Sequence, residues 1–105
     1  MDPYVQTSHE LVAKSEKSPI GVIVLAVLLG TLGGHNFYAG NSRNGGAQLG
    51  LSAVATIFNW FGGAPGDVLG SIVGGVVLLW IVVDVIMVIT GTFTDGFGLP
   101  VRFGD

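Results

Sequence analysis

Long apolar runs, punctuated mainly by glycine, dominate this chain. Between Lys17 and Arg43 only His35 could carry charge near neutrality, and between Arg43 and Asp84 only Asp67 does. Runs of this length, rich in Val, Ile and Leu, are the pattern of membrane-spanning helices. Breaks within them define three apolar segments at residues 19–34, 44–61 and 68–90. A tail over 1–18 precedes them and a polar tail over 92–105 follows, with Asp95-Gly96 as its predicted tight turn.

Each segment carries start and stop signals. Ser18 can cap the first helix with Pro19 at its first position, where the missing N–H costs nothing. Gly33-Gly34 ends it, the Asn41-Ser42-Arg43-Asn44 loop offers caps for the second, and residues 62–66 read as a turn. Asp67 is placed to cap the third helix and Gly91 to close it. In the N-terminal tail, Thr7 and Glu10 fit a capping box and predict a short surface helix. The predicted fold is therefore an all-α membrane protein: a small bundle of two to three apolar helices with a short N-terminal surface helix. Two further apolar segments after the first, and no A-x-A site, argue against a cleaved signal peptide.

The number of crossings is open at this level. The first segment would rise only about 22 Å as a helix, against a hydrocarbon core of about 30 Å. The second, at about 27 Å, is long enough to cross. Three crossings are favoured on length, although they leave Lys14 and Lys17 on one side and Arg43 and Arg102 on the other. Two crossings, with the second segment embedded without traversing, give a better charge bias.

Composition narrows the functional classes. Half the residues are hydrophobic and only 10% are charged, well below the quarter usual in soluble domains. The absence of cysteine removes disulfide scaffolds and thiolate chemistry. With four basic residues against seven acidic ones, there is no patch to grip nucleic acid. No catalytic constellation, cofactor motif or metal-ligand spacing is visible. His9 and His35 are far apart in sequence, and the glycines around Thr31 lack the lysine of a phosphate loop.

Three patterns remain. Small residues four apart, at Ala26, Gly30 and Gly34, at Gly46 and Gly50, and at Gly70 and Gly74, suit close helix packing within the bundle or against a partner. Gln48, Ser52, Thr56 and Asn59 make a polar stripe on the second helix. Such a stripe serves hydrogen bonds between helices, or lines a water-filled pore in an oligomer. Asp84 is the most expensive residue, because an aspartate at mid-membrane costs about 2.5–3.5 kcal/mol on insertion scales. Trp80, His35 and Gln48 are its candidate partners in a polar clamp, which would be either structural or an ion or proton site.

Together these residues resemble the TM-two domain family, named for its two transmembrane helices. The elements are Gly30 with Gly33-Gly34, the turn His35-Asn36-Phe37-Tyr38-Ala39-Gly40, and Gly45-Gly46-Ala47-Gln48-Leu49. Trp80 with Asp84, and the tail Gly91-Thr92-Phe93-Thr94-Asp95-Gly96, complete a resemblance over residues 19–101. The family usually has a basic residue where Asn36 stands, so a salt bridge there is lost. The stretch 51–75 is longer than the family's usual second helix. Animal relatives carry signalling and phagocytosis roles on extra domains, whereas bacterial relatives are of this size and mostly lack an assigned activity.

The expectation is a multi-pass protein of a prokaryotic cytoplasmic membrane, with the lipid bilayer and a larger membrane complex or its own copies as partners. Its expected role is that of a non-catalytic accessory or assembly subunit, or scaffold. The alternative is a homo-oligomeric ion or proton conductor lined by the 48–59 stripe and Asp84.

Overall fold

The computed structural model describes residues 14–103. Helix α1 spans Pro19–Leu29 and tightens into a 3-10 turn at Gly30–Leu32. A short helix α2 follows at Gly34–Tyr38, then α3 at Ser42–Phe61 and α4 at Gly63–Thr90. Among the described residues there is no strand, only one isolated antiparallel bridge between Thr94 and Pro100.

The start of α1 follows from its sequence. Ser18 is extended and its Oγ accepts the Gly21 N–H at 3.0 Å, with Pro19 at the first helical position. The helix does not run on across the bundle. At Gly33 the backbone takes φ +73°, and the chain folds back into α2. Only glycine suits this position, since a β-carbon there would also collide with the backbone of Gly45 on α3.

Helices α3 and α4 pair as a long antiparallel hairpin, with Gly62 between them. Gly66 lies against the Phe58 carbonyl, and Gly70 against Asn59 and the Ala55 carbonyl. Helix α1 covers only the half of α4 nearer its C-terminus. There Ala26 packs with Val77 and Ile81, and Gly30 leaves room for the Ile81 side chain. Val22 and Ala39 pack with Val88, Phe93 and Val101. Gly91, at φ +78°, closes α4, and the Thr92 N–H reaches back to the Met87 carbonyl at 2.8 Å.

The described parts of the two tails, 14–18 and 92–103, gather at one end of the bundle. Ser15 N–H donates to the Pro100 carbonyl at 2.8 Å, and Gly96 N–H to the Ala39 carbonyl at 2.9 Å. Asn41 Nδ2 donates to the Thr94 carbonyl at 2.8 Å. The stretch entering α1 and the stretch leaving α4 therefore lie at the same end of the bundle. The short first segment turns back at Gly33, while the second segment runs the length of the hairpin.

Other boundaries differ for local reasons. Helix α4 begins at Gly63, five residues before Val68, because Pro65 sits in the first turn, where a missing N–H is tolerated. Asp67 thus lies within the helix and caps nothing. Asn41 occupies the N-cap position of α3 but makes no side-chain cap, and its Nδ2 donates instead to the Thr94 carbonyl. The proposed capping box at Thr7 and Glu10 lies outside the described residues. Over 14–17 the chain is not helical, and the Ser15 Oγ accepts the Lys17 N–H at 3.0 Å.

The small-residue pattern divides in the same way. Ala26, Gly30 and Gly70 sit at helix contacts, and Gly34 packs under Leu29. Gly46, Gly50 and Gly74 face open space, with no atom within 4 Å of where a methyl group would sit. Gly45 is a close-approach residue with no small residue four away, and Gly66, four before Gly70, makes the contact in that row that Gly74 does not.

Two glycine substitutions separate these roles. Gly33→Ala is expected to destabilise the fold by at least about 1–2 kcal/mol, the cost of the left-handed backbone alone. Gly46→Ala, in an open helical position, should be neutral or stabilise by up to about 1 kcal/mol. Thermal unfolding in mild detergent, followed by circular dichroism, reads both.

Candidate functional site

The most polar spot in the structure is also among its most enclosed. His35 and Asn36 on α2 and Gln48 on α3 are each 0% exposed, and Asp84 on α4 is 6% exposed. The reversal at Gly33 is what turns α2 inward, and the Gly33–Gly45 approach brings α3 within reach.

All three partners converge on one carboxylate oxygen. Asp84 Oδ2 lies 2.7 Å from His35 Nε2, and accepts from Gln48 Nε2 and Asn36 Nδ2 at 3.2 Å each. Asn36 Nδ2 also donates to Gln48 Oε1 at 2.7 Å. His35 Nδ1 is buried without a partner, and the ring lies 6.4 Å, centroid to centroid, from that of Phe93. Three convergent donors offset the cost of burying the carboxyl group.

The structure brings together three of the four expected clamp residues. Trp80 is half-buried at the edge of the face formed by Val77, Ile81, Asp84 and Val88, and is not among the donors to Asp84. Asn36 is the member that sequence reasoning missed. The signal was its place beside His35, where the resemblance leads one to expect a basic side chain. Its amide takes up that position and bonds Asp84 directly.

The polar stripe splits. Gln48 belongs to the clamp, while Ser52, Thr56 and Asn59 line an open groove of about 780 Å³ between α3 and α4. Thr31 and Leu32 close its upper rim, so the groove begins where α1 stops. Thr56 Oγ1 bonds the Ser52 carbonyl on its own helix at 2.8 Å, and the buried Ser52 Oγ has no partner. Among the described residues, no three His, Cys, Asp or Glu side chains cluster as a metal site.

A second ordered carboxylate holds the tail. Asp95 Oδ1 accepts the N–H groups of Phe97 and Leu99, both at 2.9 Å. Burial acts to raise its pKa, but hydrogen bonds from Ser15, Leu99 and Phe97 and the charge of Lys17 outweigh it, leaving the carboxyl below its usual range.

The fold is of a recognisable class. It is an all-helical chain whose helix α4 is long and apolar enough to cross a membrane, with a shorter apolar helix at Pro19–Leu32 beside it. The most apolar stretch of α4 has a mean hydropathy of 2.9 and is only 17% buried. Residues 15–64 match the TM2 domain family. That match takes in α1, α2, α3 and three of the four clamp residues, and ends before Trp80 and Asp84. No curated protein and no solved structure matches the chain.

Asp84→Leu, which removes the acceptor from His35 Nε2 and Gln48 Nε2 and leaves Asn36 Nδ2 with Gln48 Oε1, is expected to destabilise the bundle on the order of 3–5 kcal/mol. Asp84→Asn, which still offers an acceptor, should cost less; unfolding in detergent measures both. The tail should respond to acid. The folded pKa of Asp95 lies below the unfolded carboxyl value of about 3.9. Its stabilising effect is therefore present above that pH and lost as the pH falls through the folded pKa. The Phe97 and Leu99 amide resonances should shift together in acid, and Asp95→Asn should abolish that shared titration.

Proposed function

We propose that this chain is a small integral membrane protein that acts as an accessory or assembly subunit of a larger membrane complex. The observation that carries this reading is the uneven covering of the α3–α4 hairpin. Helix α1 shields only one half, and the other half keeps an open groove with Gly70, Gly74 and Gly75 on one wall. A surface of this kind admits close approach by another helix.

The membrane setting is supported by the exposed apolar side chains. Val68, Leu69, Ile72, Val76, Leu79 and Ile86 of α4 are among those facing outward. A surface of this kind suits contact with lipid or with another apolar surface. Helix α3 rises about 30 Å, the thickness of a hydrocarbon core. Trp60 and Phe61 mark one end of the hairpin, and Tyr38 lies near the other, as interfacial aromatics do. In this reading α3 and α4 cross while α1 and α2 form a re-entrant pair, in a prokaryotic cytoplasmic membrane, as the size of the bacterial relatives suggests.

Catalysis has little foothold, because His35 and Asp84 bond each other inside a closed cluster. The pore alternative draws on Ser52, Thr56 and Asn59 lining the groove, but Asp84 lies in the clamp and not on that wall. Native mass measurement after extraction in mild detergent tests these readings. A larger protein in fixed ratio is the expected result. A pure homo-oligomer that conducts ions in liposomes would replace it with the pore, and an isolated monomer would overturn both.

A further inference from the structure

We infer that the tail-bearing end of the bundle faces the cytoplasm; the inference rests on the membrane reading above. The chain has four basic residues, Lys14, Lys17, Arg43 and Arg102. They are spread over three separate stretches of sequence, and the fold collects them at one end. Lys14 and Lys17 flank the segment in which Ser15 bonds Pro100, and the Lys17 ammonium lies 5.4 Å from the centre of the Tyr38 ring. Arg43 opens α3, two residues after the Asn41 that bonds Thr94. The Arg102 side chain packs at Gly91, the end of α4.

At the other end, around Gly62, the only charged side chain among the described residues is that of Asp67. Between the two ends lies the length of α3, about 30 Å, along which the enclosed His35–Asp84 contact is the one ionisable pair among the described residues. Lys and Arg near membrane helices are retained on the cytoplasmic side, while Asp and Glu contribute little to orientation. The comparison is thus four basic groups against none. Taken linearly through three crossings, the same four residues divide evenly and specify nothing. The full four-to-none bias arises because α1 turns back at Gly33 and places Arg43, as well as Arg102, at the end that holds Lys14 and Lys17.

The absence of native cysteine makes the test direct. Ala64→Cys places one thiol on an exposed position at the far end, and Phe97→Cys places one at the tail end, where the native side chain is 88% exposed. Each full-length variant is first checked for wild-type unfolding in detergent, with Phe103→Cys replacing Phe97→Cys if that fails. Spheroplasts are then treated with a membrane-impermeant maleimide, before and after lysis. The expected result is labelling of Ala64→Cys on intact spheroplasts and of Phe97→Cys only after lysis. The inverse pattern overturns the orientation and leaves the membrane reading standing. Labelling of both positions under the same condition means that the hairpin does not cross, and overturns the membrane reading together with the inference. Replacing all four basic residues by Gln in the Ala64→Cys background should reduce intact-cell labelling at least about two-fold, by mixing orientations. An unchanged pattern there would overturn the role given to the basic residues.

Discussion

The carboxyl group of Asp84 sets the constraint that the rest of the bundle satisfies. A carboxyl group in the body of a long apolar helix is costly unless donors reach it. Helix α4 supplies none, so they come from elsewhere in the chain. His35 and Asn36 arrive because the chain reverses after α1, and Gln48 because α3 starts close to that reversal. The backbone freedom and missing side chain of Gly33, which lies against the Gly45 backbone, and the missing side chain of Gly45, which leaves room for the Phe37 ring, are the local conditions for both. The polar cluster and the re-entrant shape are therefore one feature seen at two scales.

This arrangement leaves the molecule asymmetric along its axis. One half holds four helical segments, two apolar clusters and the clamp, and is tied at its end by the bonds among Ser15, Ala39, Asn41, Thr94, Gly96 and Pro100. The other half is a bare pair of helices meeting through Gly66 and Gly70. Stability belongs mainly to the first half, where buried contacts and satisfied polar groups concentrate. The second half has surface to spare, which is why the contact role is placed there.

Much of the local structure was legible in the residues. Ser18-Pro19 starts α1, Gly91 ends α4, and the carboxyl group of Asp84 calls for partners that include His35 and Gln48. Each follows from nearest-neighbour chemistry: a capping hydroxyl, a left-handed glycine, a buried charge. Legibility failed where the outcome depended on distance. Trp80 sits one turn from Asp84 and looked like its donor, yet donors from α2 and α3 occupy the carboxylate. Gly46 and Gly50 have the spacing of a packing motif but lie on a face that nothing meets, while Gly45, one residue away, faces the Phe37 ring.

By itself, then, the sequence determined the all-helical apolar character, the family resemblance and the residues that would need one another, because these depend on composition, periodicity and the cost of a lone charge. Tertiary structure alone decided that the first apolar segment returns on itself, that Asn36 joins the clamp, and that the four basic residues share one end. The physical reason is the same in each case. A run of apolar residues states that it will be helical and away from water, but not how far it travels before turning, and here one glycine backbone packed against another sets that distance.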